Sequence, residues 1–192
     1  MNATEHIVET YYRLVKHCFT ITDVQVEKGV NRQIDLLSFQ KGSGECFHVE
    51  TTVTHELSWR PSLNKLETYI EYKFFGKPKP SAKEAKNYYQ NICETYKKFG
   101  IDHKSVKRVI CVWDIKESKE EVEKWLRSQE ENLRIQKRSL SILFFRDDVI
   151  PELLKEIGTS NYNDEVVRVL SLLEQYRKQT RQKVHRTVDR NE

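Results

Sequence analysis

The amino-acid sequence predicts an α/β or α+β sandwich, with helices on both faces of a single mixed sheet. Three observations lead there. Arg32–Gln40 and Cys46–Thr54 read as two strands joined across Lys41-Gly42-Ser43-Gly44, and the second alternates Phe47, Val49, Thr51 and Val53 against His48, Glu50, Thr52 and Thr54. Two later runs, Val106–Trp113 and Ser139–Phe145, are almost wholly apolar, as strands are when helices cover both of their faces. Segments of helical period flank and separate these strands.

Taken in order, residues 5–18 place Ile7, Tyr11, Leu14, Val15 and Cys18 on one helical side. Ile21–Glu27 alternates Val24 and Val26 with polar residues and reads as a strand, with Gly29 and Asn31 marking the turn into Arg32–Gln40. Gly42 suits the first central position of a type II′ hairpin turn. Asn64–Phe75 reads as a short helix, ended by Gly76-Lys77-Pro78-Lys79-Pro80. Ser81 with Glu84 forms a capping-box signature for a long helix to about Phe99, stopped at Gly100. Ser118 caps a helix over about 119–131, and Pro151 fits the first turn of a helix ending near Gly158. Asn161 or Asn163 opens a last helix, with Val166, Val169, Leu170, Leu173 and Tyr176 on one side. Residues 1–158 are expected to form the core domain, and 159–192 a helical extension with a basic tail.

Composition narrows the function classes. The 192 residues carry 33 Lys and Arg against 29 Asp and Glu, a net charge of +4 that permits nucleic acid without demanding it. No apolar run is long enough for a membrane span, and the amino terminus lacks a basic-then-apolar leader, so a cytoplasmic location is expected. Cys18, Cys46, Cys93 and Cys111 include no CxxC pair, which disfavours structural zinc and a disulfide framework.

The hairpin brings two carboxylates together. With Gly42 and Ser43 central in the turn, Asp35 lies opposite Glu50 and Gln33 opposite Thr52. Cβ atoms of directly opposed residues stand about 4.5–5.5 Å apart. Two carboxylates that close repel unless positive charge sits between them. A divalent cation with a taste for hard oxygen ligands, Mg²⁺ or Mn²⁺, relieves that repulsion. So does an ion pair to Arg32 or to a lysine on a helix.

The run Gly29-Val30-Asn31-Arg32-Gln33-Ile34-Asp35-Leu36-Leu37, followed by Phe47-His48-Val49-Glu50-Thr51-Thr52, resembles the core of the restriction-endonuclease-like PD-(D/E)xK nucleases. The element order over about residues 5–157 matches that family's arrangement. The resemblance implies a central mixed five-stranded sheet flanked by helices, in the order αβββαβαβ with further C-terminal helices. It implies that Asp35 and Glu50 ligate Mg²⁺ or Mn²⁺, with Glu9 of the first helix assisting and the backbone carbonyl of Thr51 as an added ligand. The family's lysine position is Thr52, whose hydroxyl carries no charge. Lys83, Lys86 and Gln90 share one side of the expected 81–99 helix, and Lys86 is the residue chosen to supply the missing charge. Gln33 and Thr52 then orient water or phosphate.

Other residues carry two readings each. His48 falls on the Glu50 side of its strand, either as a hydrogen-bonded histidine or as a group orienting a ligand; His55 flanks the same strand. Trp59 either stacks on a base or packs beneath its loop. Arg32, Arg60, Lys77 and Lys79 are candidate phosphate contacts. Arg177, Lys178, Arg181, Lys183, Arg186 and Arg190 make the tail basic, and Arg181, Lys183 and Arg186 are its candidate nucleic-acid contacts.

The expected function is metal-dependent phosphodiester hydrolysis of nucleic acid, with DNA the substrate the family implies. Two alternatives stand beside it: a catalytically inactive nuclease-like domain that binds nucleic acid, and a structural or protein-interaction domain. Cutting a duplex requires two active sites, so a homodimer is the expected assembly for that task.

Overall fold

In the computed structural model, the described residues are 2–28, 32–53, 60–78 and 86–188. Among the described residues, six helices and five strands follow one another as α1 (Ala3–Leu14), β1 (Cys18–Gln25), β2 (Gln33–Gln40), β3 (Cys46–Thr51), α2 (Leu63–Phe75), α3 (Tyr89–Lys98), β4 (Lys107–Val112), α4 (Lys119–Asn132), β5 (Leu140–Phe144), α5 (Ile150–Ile157) and α6 (Glu165–Val188), with a π-helical turn at Phe145–Val149 before α5.

The five strands form one sheet in the order β1-β2-β3-β4-β5. The first three make an antiparallel meander, and β3-β4-β5 run parallel. This mixed sheet flanked by helices is the architecture expected of a restriction-endonuclease-like sandwich. The pleat sends alternate residues to opposite faces. Leu36, Val49, Val109 and Cys111 face α1 and the Phe145–Val149 turn, where Val8, Tyr11 and Tyr12 complete the core. On the other face Ile110, Val112 and Leu140 pack against Leu66, Ile70 and Phe74 of α2 and Val122 of α4. With both faces covered, β4 and β5 have no solvated side to alternate toward, which explains their unbroken apolar runs.

Several element ends differ from the sequence expectation, each for a local reason. His17 adopts φ 53, which ends α1 early and starts β1 at Cys18 rather than near Ile21. The β2–β3 register is the expected one, with Leu36 opposite Val49 and Phe39 opposite Cys46. The turn is longer than type II′: Gln40 N–H donates to Glu45 O at 2.9 Å and closes a four-residue loop. Gly42 at φ 100 and Gly44 at φ 69 both use the left-handed region. Of the expected 81–99 helix, the described residues show α3 from Tyr89 to Lys98, and residues 86–88 are not helical. The Ser81 cap, Glu84 and Lys83 lie outside the described residues, as do Gly29, Asn31, His55, Trp59 and Lys79. The Ser118 capping box and Pro151 in the first turn of α5 are as expected. Among the described residues no helix is long and apolar enough to cross a membrane.

Candidate functional site

The β2–β3 ladder ends at Leu36 and Val49, and the next residues on the α2 face of the sheet are Asp35 and Glu50. Here the strands part. Thr51 N–H donates to Asp35 Oδ2 at 2.8 Å, so a side chain takes the hydrogen bond that a strand backbone would otherwise receive. Asp35 is turned toward Glu50, whose side chain is 3% exposed.

The charge between them comes from α2. Leu66, Ile70 and Phe74 form its buried stripe at i, i+4 and i+8. Lys73 borders that stripe and points the same way, toward the carboxylates. Its Nζ pairs with Glu50 Oε2 and lies 3.4 Å from Asp35 Oδ1. Gly76 ends the helix directly afterwards with φ 63. A Cβ there would lie 2.4 Å from the Tyr88 and Tyr89 backbone, so only glycine lets α2 stop against the start of α3.

Glu50 is fixed from its other oxygen. His48 Nε2 lies 2.7 Å from Glu50 Oε1, and His48 Nδ1 lies 2.5 Å from the Tyr96 hydroxyl of α3. Burial, with the charge of Arg108 directly across the ladder, holds the imidazole well below its ordinary value and therefore neutral. Burial keeps the Tyr96 phenol protonated. A protonated phenol donates to Nδ1, which leaves the proton on Nε2 facing Glu50. Phe74 closes the ring's edge at a centroid distance of 4.6 Å.

Electrostatics follow from this packing. Burial, then the nearby Glu50 charge, push the Asp35 carboxyl up to about 6 despite Lys73. Burial also raises Glu50, opposed by Lys73. Burial alone would lower Lys73, but the two carboxylates outweigh it and hold the ammonium well above its ordinary value. The cluster thus carries one permanent cation and two carboxylates, one of which titrates near neutrality.

The remaining sequence-derived residues fall elsewhere. Glu9 accepts from Thr20 Oγ1 at 2.9 Å, with His6 and Arg13 within 3.8 and 3.9 Å, over β1 on the α1 side of the sheet. Lys86 is exposed outside any helix, over the Tyr88 ring at 5.4 Å. α3 begins after it, and the lysine that stands against the two carboxylates is Lys73. Arg32 is 8% exposed, stacked on Tyr72 at 4.1 Å and near Tyr88 at 5.1 Å. That burial ties β2 to α2 and withdraws the guanidinium from solvent, contrary to the expected phosphate contact. Arg60 meets Asp114 at 3.1 Å beside Arg146. Lys77 pairs with Glu71. Thr52 is half-buried and uses its N–H on Cys111 O at 2.8 Å, while Gln33 is exposed at the mouth of β2. The side chains of Arg181, Lys183 and Arg186 lie outside the described set.

Sequence reasoning did not single out Lys73. The available signal was its place three residues after Ile70 and seven after Leu66, on the inner side of α2. His48 was placed on the correct side, but its complete burial and its bond to Tyr96 depend on α3.

Among the described residues no three His, Cys, Asp or Glu side chains gather into a metal-binding group. Two buried carboxylates nevertheless supply the hard oxygen donors that Mg²⁺ uses, since that ion commonly takes one or two carboxylates and fills its shell with water and phosphate oxygens. Burial first and the Glu50 charge second raise the Asp35 carboxyl, so added positive charge beside it is favourable. The donor chemistry fits the ion.

No family model matches the chain, and no curated protein matches it. Among solved structures, one titled "Crystal Structure of Protein of Unknown Function AF1548" aligns with a TM-score of 0.45 and 14% identity, over 88% of this chain and 79% of that one. A likeness of that degree carries no functional information.

Proposed function

We propose that the Asp35–Glu50–Lys73 cluster is the active site of a metal-dependent nuclease of the PD-(D/E)xK type, hydrolysing phosphodiester bonds with DNA as the favoured substrate. The observation that carries this reading is Lys73. The strand position where the family pattern has lysine is Thr52, and a lysine from α2 stands against both acids instead.

Asp35 and Glu50 would hold Mg²⁺ or Mn²⁺. The Thr51 carbonyl is available beside them, because its N–H is turned toward Asp35 and a strand residue's N–H and C=O share a side. The bound ion would lower the pKa of a coordinated water and offset charge on the phosphate. The chain's own groups do the rest. Lys73 supplies a fixed positive charge for a phosphate oxygen or for the attacking water. His48, oriented by Tyr96, pins one Glu50 oxygen while the other meets Lys73. Arg60, half-exposed beside Asp114, would contact the phosphate backbone of the substrate.

A second reading, an inactive nuclease-like domain that binds nucleic acid, is favoured by the Lys73–Glu50 ion pair, which satisfies the carboxylate without a metal. Calorimetric titration with Mn²⁺ separates the two. The nuclease reading expects binding that Asp35→Ala abolishes. Absence of binding at millimolar Mn²⁺ favours the inactive domain.

A further inference from the structure

We propose that α6 is a self-association element, pairing antiparallel with α6 of a second copy of this chain. The helix carries a second apolar stripe besides the one it packs on the domain. Val167, Ser171 and Glu174 are the residues it buries. Val167 and Leu170 pack with Leu153 and Ile157 of α5, while farther along Ser171 Oγ donates to Ser160 O at 2.7 Å and Glu174 pairs with Arg177 at 2.8 Å. At about 100° per residue, Val169, Leu172, Leu173 and Tyr176 fall on the opposite side. These four are 55%, 56%, 56% and 69% exposed. Their spacing of i, i+3, i+4 and i+7 is that of a helix-pairing seam. Exposed aliphatic and aromatic side chains in one contiguous stripe mark an interaction surface.

Charge along the same helix selects the occupant and its direction. The entrance is acidic, with Asp164 and Glu165, and the exit is basic, with Arg177, Lys178, Arg181, Lys183 and Arg186. Parallel helices would set like charge beside like at both ends. Antiparallel pairing about a two-fold axis between Leu172 and Leu173 sets Leu172 of one copy against Leu173 of the other, and Val169 against Tyr176. It also brings Glu165 of each helix level with the basic 181–183 stretch of its mate, while Asp164 stays paired with His6 of its own chain. A two-fold interface must be self-complementary in this way, and the two ends of one helix supply both halves.

The test is sedimentation of the full chain across a concentration series. A reversible dimer is expected. Leu172→Glu combined with Leu173→Glu sets four carboxylates across the axis and should weaken association at least about a hundredfold. Both residues are exposed, so circular dichroism and the melting temperature at low concentration should match the parent. Glu165→Lys should weaken the dimer about tenfold, and Glu165→Lys with Lys183→Glu should recover it. A monomer at every concentration up to the millimolar range overturns the proposal. So does a dimer that survives the double glutamate variant.

Discussion

Replacing Lys73 with methionine gives a decisive perturbation, because it keeps the packing of the stem and deletes only the charge. Lys73 is 23% exposed, Glu50 is 3% and Asp35 is 13%, so the ammonium faces two carboxylates with little water to screen them. Removing one partner of a buried ion pair costs about 3–5 kcal/mol, since the remaining charge stays desolvated and uncompensated. With a urea dependence of about 2 kcal/mol/M, that is a midpoint loss of about 1.5–2.5 M. The loss must depend on pH. Asp35 already titrates at about 6, and without Lys73 it holds its proton to higher pH still. At pH 5 the variant therefore carries at most one buried negative charge and loses less. At pH 8 the full penalty applies, and a divalent cation that binds only the folded state should return part of it. Urea unfolding of parent and Lys73→Met at pH 5 and pH 8, in EDTA and in Mn²⁺, reads all of this. A loss below about 1 kcal/mol at pH 8, or a loss equal at both pH values, would refute the electrostatic account of the cluster.

Other outcomes follow from the same geometry. Asp35 has an ordinary value of 3.8 and stands at about 6 in the folded chain, so its contribution to stability is fully present below 3.8 and is lost as pH rises through 6. That contribution is about 3 kcal/mol, and Asp35→Asn should flatten this segment of the stability–pH curve and make the protein more stable than the parent at pH 8. Tyr96→Phe leaves His48 Nδ1 buried without a donor and should cost about 1–3 kcal/mol in thermal unfolding. Gly76→Ala drives a Cβ to 2.4 Å from the Tyr88 and Tyr89 backbone, at a residue with φ 63. It should destabilise by more than about 2 kcal/mol by denaturant titration, and an unchanged midpoint would mean the α2–α3 junction yields freely.

The architecture was legible where period and turn chemistry act locally. Alternation in Cys46–Thr51, the glycine-bearing turn and the apolar β4 and β5 fixed the sheet, and the Asp35–Glu50 apposition followed from the β2–β3 register alone. The turn type did not, because a four-residue and a two-residue loop centred on Gly42 and Ser43 give the same register. The start of α3 was misread since the Ser81–Glu84 pattern satisfies a capping box in sequence, whereas residues 86–88 are not helical and α3 begins at Tyr89. That error moved the expected cation to Lys86. Lys73 was hidden for another reason. A lysine bordering a buried stripe looks like any solvated lysine until the opposite layer shows two carboxylates beneath it. Arg32 failed in the reverse direction, since its burial between Tyr72 and Tyr88 depends on where α2 and α3 settle.

The central claim is that Asp35, Glu50 and Lys73 form a hydrolytic site, and cleavage tests it most directly. Supercoiled and linear DNA should be incubated with Mn²⁺ and the parent chain, Asp35→Asn or Lys73→Met, with folding of each variant verified beforehand. The account predicts metal-dependent cleavage by the parent, and loss of at least about a hundredfold in both variants, as expected when a group acting on the transition state is removed. Cleavage that persists undiminished in the two variants would contradict it.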